Sequence, residues 1–254
     1  KSGYDIRTLG RDDWDRAGEL CRDIDLCIVS VPIELTESVI ERISDLLPAD
    51  AILTDLTSIK VKPVEKMLAF HKGPVIGIHP LFGPTTGSLD KQIIVVTPGR
   101  QEEKCQWLVD QLTIWGAVMV ESSPEEHDGI MEIVQALRHF ATFCFGQFLH
   151  SRHIKLERTL EFSSPIYRLE AGMVGRLFAQ DGAMYSEIIF ATPERRQLLK
   201  EYIESFSQHL EMLETDNREM FVEKFNHIAQ WFGPFSEQAM RESTFLINKL
   251  IERF

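Results

Sequence analysis

With 254 residues, 44% of them hydrophobic, the chain is long enough to bury one large core or two smaller ones. Its net charge of -12 excludes a general phosphate-backbone binder of nucleic acid, which needs a basic footprint, but not a small anionic ligand held by a local arginine cluster. There is no apolar run of roughly 18 residues to cross a membrane, and Lys1-Ser2-Gly3-Tyr4-Asp5 has no apolar signal region.

The first half alternates between strand and helix. Tyr4 to Leu9 predicts a short strand and Asp12 to Cys21 a helix. Leu26-Cys27-Ile28-Val29-Ser30-Val31, ended by Pro32, predicts a strand buried on both faces, and Glu34 to Leu47 the next helix. Strands follow at Ala51 to Leu56, Pro74 to Ile78, Ile93 to Val96 and Ala117 to Val120, with helices at Pro63 to Phe70 and Gln101 to Trp115. Such alternation implies a parallel sheet covered by helices, with ligands at the carboxyl ends of the strands.

At Ser122 the period changes. Ser123-Pro124-Glu125-Glu126 is a capping box with proline at the first helical position, and it opens a helix to about His150. Ser164-Pro165 opens a helix ending near Asp181-Gly182, and Thr192-Pro193 opens another with Leu199, Ile203, Phe206, Leu210 and Leu213 on one face. Helices from Met220 to Trp231 and from Phe235 to the chain end complete an all-helical second half. The expected architecture is therefore α/β plus all-α: a Rossmann-like domain over 1–121 and a helical domain over 122–254.

The four cysteines, Cys21, Cys27, Cys105 and Cys144, form no CxxC pair, so neither a zinc ribbon nor a disulfide scaffold is expected. Cys27 and Cys144 lie in apolar runs and are expected to be buried free thiols, which suits a reducing cytoplasm. No metal site is expected, because His150-Ser151-Arg152-His153 has no accompanying carboxylate pattern. A dinucleotide-binding domain opens with a strand and a Gly-rich turn, but no GxGxxG occurs in these residues. The expectation is a sheet lacking its central strand, and hence a longer parent protein.

Several side chains are candidates for chemistry. His79, in Gly77-Ile78-His79-Pro80-Leu81-Phe82-Gly83-Pro84, is expected directly after a buried strand, either capping it or polarising a substrate hydroxyl. Ser58 and Lys60 follow another strand and either enter the same crevice or lie on a solvated loop. His127, Gln135, Arg138 and His139 form a polar stripe on an apolar helix, facing a site or forming a buried network. Arg168 and Arg176 share a face of the Ser164 helix and suit carboxylate binding, with salt bridges to Glu170 or Asp181 as the alternative. Gly172 and Gly175 between them suggest close approach by a backbone or ligand.

Together these stretches resemble prephenate dehydrogenase, and most of all the dehydrogenase part of bifunctional chorismate mutase/prephenate dehydrogenases. The specific segments are Val29-Ser30-Val31-Pro32, His71-Lys72-Gly73-Pro74-Val75 through Pro84, and Gln135-Ala136-Leu137-Arg138-His139-Phe140. The strongest is Ser163-Ser164-Pro165-Ile166-Tyr167-Arg168-Leu169-Glu170, continuing through Gly175-Arg176-Leu177-Phe178-Ala179-Gln180-Asp181.

The resemblance implies oxidative decarboxylation of prephenate with NAD, on the route to tyrosine. It implies His79 as the catalytic proton acceptor and Arg176 as a carboxylate ligand. His139, Gln135, Tyr185, Ser58, Lys60 and Arg168 become substrate-site residues, with His127 near the pocket. Ser30, Val31, Pro32, Ser58, Gly10 and Arg11 become cofactor contacts. It also implies a homodimer through the helical half and tyrosine as a feedback inhibitor.

The acid expected at the end of the second Rossmann strand is Gly10, followed by Arg11, which keeps NADP open beside NAD; Asp12 or Asp13 are substitutes for the acid. The mutase module of the bifunctional enzymes is absent from these residues, so no mutase activity is expected of them. An arogenate dehydrogenase, a β-hydroxy-acid dehydrogenase and a non-catalytic dimerisation or tyrosine-binding fragment are the alternatives.

Overall fold

Apolar runs bounded by turn residues become the strands of one five-stranded sheet, ordered β1-β2-β3-β4-β5. The structure is a computed structural model and describes residues 3–83 and 86–252. Pro84, the last residue of the His79 motif, lies outside the described residues, as do Lys1, Ser2 and the last two residues of the chain. The strands are β1 (Leu26–Val29), β2 (Ile52–Asp55), β3 (Val75–Pro80), β4 (Ile93–Arg100) and β5 (Val118–Glu121). A short 3-10 turn (Trp14–Arg16) and α1 (Ala17–Leu20) precede them, and α2 (Ile33–Ser44), α3 (Val61–Phe70) and α4 (Glu102–Ile114) lie between them in sequence.

The continuous apolar runs serve both faces of the sheet. Val29, Leu53 and Val75 point to one face, with Ile40 and Ile43 of α2 and Val64 and Met67 of α3. Ile52, Ile76, Ile78, Ile94 and Val96 point to the other, with Cys105 and Leu108 of α4. Because successive strand residues alternate in direction, a sheet covered on both sides needs apolar residues at nearly every position.

Three expectations about the sheet need correction. Tyr4 to Leu9 is not a strand: an isolated stretch with no neighbour cannot satisfy its backbone groups by ladder bonds, and β1 pairs only with β2. As an edge strand, β1 is not buried on both faces, and Ile28 is 47% exposed. The sheet is also not wholly parallel: β1–β2, β2–β3 and β4–β5 are parallel, but β3–β4 is antiparallel with a register shift at Val75/Ile76. A parallel return needs a long crossover, usually a helix, and the described residues between β3 and β4 contain none.

The chain divides into two compact units, Lys1–Gln135 and Ala136–Phe254. The helical run that opens at Ser123 is α5 (Pro124–Met131), a π-helical segment (Glu132–Leu137) and α6 (Arg138–Ser151). Ser123 caps α5 by accepting the Glu126 N–H at 3.1 Å. The return bond of the box is diverted, because the Glu126 carboxylate accepts from the Ser122 hydroxyl instead.

The remaining helices are α7 (Leu156–Glu161), α8 (Pro165–Phe178), α9 (Gly182–Phe190), α10 (Pro193–Glu214), α11 (Arg218–Phe232) and α12 (Pro234–Ile251). Neither α7 nor α9 was expected; Asp181 does not close a helix but caps α9, accepting the Ala183 N–H at 2.9 Å. On α11 and α12 no residue is fully buried, and Phe225, Trp231, Met240 and Phe245 are exposed. The thiols differ from expectation too: Cys27 is half-buried and Cys144 is exposed, whereas Cys21 and Cys105 are buried. Burial, with Cys21 nearby, pushes the Cys27 thiol up to about 12.

Candidate active site

The parallel strands β1, β2 and β3 bring their carboxyl ends to one edge of the sheet, and the candidates that follow or end these strands lie there. Ser30, exposed, Val31, half-buried, and Pro32, exposed, follow β1, with Pro32 as the N-cap of α2. Asp55 ends β2, and half-buried Ser58 lies in the loop leading to α3. His79 is the penultimate residue of β3, inside the strand rather than after it, and is 3% exposed. Gly10 and Arg11 are exposed, in a turn where Asp13 accepts the Gly10 N–H at 2.8 Å. Asp13 is thus engaged with the backbone of the same turn.

Lys60 is not on a solvated loop. Its ammonium donates to Asp55 Oδ2, and both side chains are 0% exposed. Burial pushes the Lys60 ammonium below its ordinary range, while Asp55 and Asp128 pull the other way. Asp55 also accepts from the Thr57 N–H at 3.0 Å and from the Thr57 hydroxyl. The lysine stem lies across Gly77 of β3, where an added Cβ would meet the Thr97 hydroxyl of β4 first, then Val64 Cγ2 at 2.9 Å and Lys60 Cδ at 3.1 Å. Gly77 is therefore the floor on which the buried pair rests.

Asp128 joins this pair to the histidines. Its carboxylate accepts from the backbone N–H groups of Lys60 at 2.6 Å and Val61 at 3.1 Å, so it caps α3 from a distant part of the chain. It also accepts from His127 Nδ1 at 2.8 Å. Burial would raise the Asp128 carboxyl, but the bonds from His127, Val61 and Lys60 hold it below the usual carboxylate range. His127 Nε2 lies 2.8 Å from His79 Nδ1, and Gln135 Nε2 lies 3.3 Å from His79 Nε2.

Thus His79, His127 and Gln135 come together, and the sequence reading missed Asp55, Thr57, Gly77 and Asp128. The signals for these were thin: an acid ending an apolar strand, and an acid beside a histidine in the first turns of a helix. Among the described residues no group of His, Cys, Asp and Glu is arranged to hold a metal ion.

The other candidates lie in the second unit. The His139 and Tyr185 rings meet edge to face with centroids 4.8 Å apart. Burial, helped by Arg138 and Arg195, pushes the His139 imidazole below its ordinary range. Arg138 donates to the hydroxyl of Thr142 on its own helix. Arg168 is half-buried and donates to the Leu160 carbonyl at 3.4 Å. Arg176 is exposed and makes no ion pair among the described residues, and Asp181, its expected partner, caps α9. The glycines between the arginines have no neighbour within 4 Å of a built Cβ, so packing within the chain does not account for them. Close approach occurs instead at Gly146 of α6, against the Phe178 ring.

A helix-covered sheet with these groups at its carboxyl edge, followed by an all-helical unit, defines a Rossmann-like protein with a helical second domain. The family model for the prephenate dehydrogenase nucleotide-binding domain matches residues 7–122, and that for the prephenate dehydrogenase dimerization domain matches residues 123–227. The chain belongs to the prephenate dehydrogenase family.

It is 46% identical to the T-protein of Enterobacter agglomerans, over 97% of this chain and 66% of that protein. With the T-protein of Haemophilus influenzae the identity is 42%, over 98% of this chain and 66% of that protein. The chain thus spans 66% of the length of these curated relatives. In fold it is similar to prephenate dehydrogenase from Aquifex aeolicus, with TM-score 0.62 and 21% identity over 84% of this chain and 78% of that one. It is also similar to Synechocystis arogenate dehydrogenase, with TM-score 0.64 and 18% identity over 88% and 81%.

Proposed function

We propose that these residues form the dehydrogenase part of an enzyme that oxidatively decarboxylates prephenate to 4-hydroxyphenylpyruvate and carbon dioxide. The observation that carries the reading is His79, held at a strand carboxyl end with Nδ1 against His127 and Nε2 against the Gln135 amide. Family membership and the identity to the T-proteins support it.

In this reading His79 Nε2 accepts the proton of the prephenate ring hydroxyl, which takes the place of the Gln135 amide. The carbon bearing that hydroxyl would lose its hydride, for which bound NAD would supply the acceptor. The ring carboxylate would then leave as carbon dioxide because aromaticity is gained, and the phenolate so formed would take back the proton held at His79 Nε2. Arg176 grips a substrate carboxylate, and His139, Tyr185 and Arg168 complete the substrate contacts. Lys60 acts from beneath, fixing the loop that carries Ser58. Ser30, Val31, Pro32, Ser58, Gly10 and Arg11 would hold the cofactor. Hydroxyls on loops at neighbouring strand ends suit ribose groups, and the exposed Arg11 guanidinium suits a phosphate.

The division of labour is a cofactor-binding domain over 1–121 and a substrate-binding and dimerisation domain over 122–254. The exposed apolar faces of α11 and α12 support a homodimer. Tyrosine as feedback inhibitor and a cytoplasmic location belong to the same reading.

The test is prephenate-dependent NAD reduction by the polypeptide carrying these residues, with arogenate and NADP as competitors. Turnover with prephenate and NAD is expected, together with a severe loss in His79→Asn, on the order of 10²–10⁴-fold in kcat. Turnover with arogenate alone would replace the substrate assignment. Unchanged turnover in His79→Asn would remove His79 from the chemistry.

A further inference from the structure

A base that takes a proton at His79 Nε2 needs a lone pair there and its own proton on Nδ1, an arrangement that a free neutral imidazole does not hold. We propose that Asp128 and His127 are positioning residues that fix His79 as the Nδ1–H tautomer. The inference rests on the reading of His79 as the proton acceptor.

The order of protons follows from the contacts taken one at a time. Both Asp128 oxygens already accept backbone N–H groups from the start of α3. Oδ1 also faces His127 Nδ1, so that nitrogen must carry the proton it donates. A neutral His127 then presents a lone pair at Nε2. Since His79 Nδ1 lies 2.8 Å away, His79 must donate from Nδ1. Its Nε2 is left as the acceptor, and the Gln135 amide nitrogen, a donor only, stands before it at 3.3 Å.

The opposite order fails at the Asp128 end. With the proton on His79 Nε2, the Gln135 amide would have to turn its oxygen, which has no partner where it lies, toward that N–H. His127 would have to donate from Nε2, leaving a bare Nδ1 lone pair against the Asp128 carboxylate. His127 is 1% exposed, so solvent offers its ring little alternative. The two ring planes meet at 69°, with centroids 5.0 Å apart, so they are joined edge to edge and not stacked.

The relay also balances charge. When a proton arrives at Nε2, the His79 imidazolium is stabilised by the Asp128 carboxylate through His127, with no proton leaving the relay. An acid orienting a catalytic histidine works in the same way in hydrolase triads. Here a second histidine is interposed, and the acid is anchored on the N-terminus of α3 and, through Lys60, on the buried Asp55 pair.

The experiment is imidazole 15N NMR of the histidine-labelled polypeptide, with His79 assigned by its loss in His79→Asn. The wild-type protein is expected to show a protonated Nδ1 and a bare Nε2 at His79. Asp128→Ala removes the acceptor before His127 Nδ1 and should release the order, so that the proton on His79 is no longer confined to Nδ1. Its kcat should fall on the order of 10²–10⁴-fold while the prephenate KM moves little.

Two further variants cover a folding failure in Asp128→Ala. His127→Gln offers a carbonyl to His79 and an amide N–H to Asp128, and should keep the Nδ1–H form. His127→Leu should lose it. A wild-type His79 protonated at Nε2, or a tautomer indifferent to all three variants, overturns the proposal. An Nδ1–H tautomer that is lost in Asp128→Ala, in a protein that does not turn over prephenate, keeps the relay and removes the activity assigned to it.

Discussion

Replacing Lys60 with methionine tests the buried pair beneath the site. Methionine keeps most of the stem that packs over Gly77 but removes the ammonium, so the loss is one of charge rather than volume. Asp55 is then a carboxylate at 0% exposure, with Oδ1 unpartnered and Oδ2 held only by the Thr57 N–H and hydroxyl. Breaking a buried pair from one side leaves an uncompensated charge and costs about 3–5 kcal/mol, a large part of the ~5–15 kcal/mol that holds a domain together. For a unit of this size that corresponds to roughly 10–20 °C in the melting temperature.

Thermal and urea unfolding followed by tryptophan fluorescence would read it, because Trp14, Trp107 and Trp115 lie in the first unit and only Trp231 in the second. Adding Asp55→Leu to Lys60→Met removes the orphaned charge and should recover more than half of the loss. A single variant that loses less than about 1 kcal/mol, or a double variant no better than the single, would refute the account.

Gly77→Ala should destabilise the first unit by about 1–3 kcal/mol, because the new Cβ meets the buried Thr97 hydroxyl, Val64 and Lys60 in a filled space; an unchanged urea midpoint would show that they yield freely. His71 is held below its ordinary range by burial, against the bond to the Ala51 carbonyl and with Arg100 nearby. Its folded value therefore lies under its unfolded one, near 6.5, and the unfolded chain binds more protons between the two. Stability should fall as pH drops below about 6.5 and level off beneath the folded value, and His71→Gln should flatten that slope in urea titrations across the range. Arg176→Ala should raise the prephenate KM roughly 10–100-fold, the equivalent of about 1.5–3 kcal/mol for a hydrogen bond to a charged group, with kcat less affected; an unaltered KM would remove the carboxylate role.

What the sequence determined by itself is what local chemistry decides. Ser123, Ser164 and Thr192, each followed by proline, mark helix starts because a cap bonds a backbone N–H three residues on, and those bonds are present at Glu126, Tyr167 and Arg195. The buried strands were legible because Leu53, Ile76 and Ile94 sit in apolar runs too short for a helix. The histidine and arginine motifs were legible as a family pattern.

The tertiary structure alone decided which of these parts meet. Tyr4 to Leu9 has strand-like residues and no neighbour to pair with, and the direction of β4 depends on a connection without a helix. Nothing near Lys60 in the sequence says that its charge is spent on Asp55 rather than offered to solvent. The bond between His79 and His127 joins residues 48 apart, and that from the Lys60 N–H to Asp128 joins residues 68 apart. Hydrogen bonds of such range form only after the sheet has placed β3 beside the start of α3 and packed α5 against them. Periodicity and caps therefore revealed the elements, and packing selected the proton order of the site.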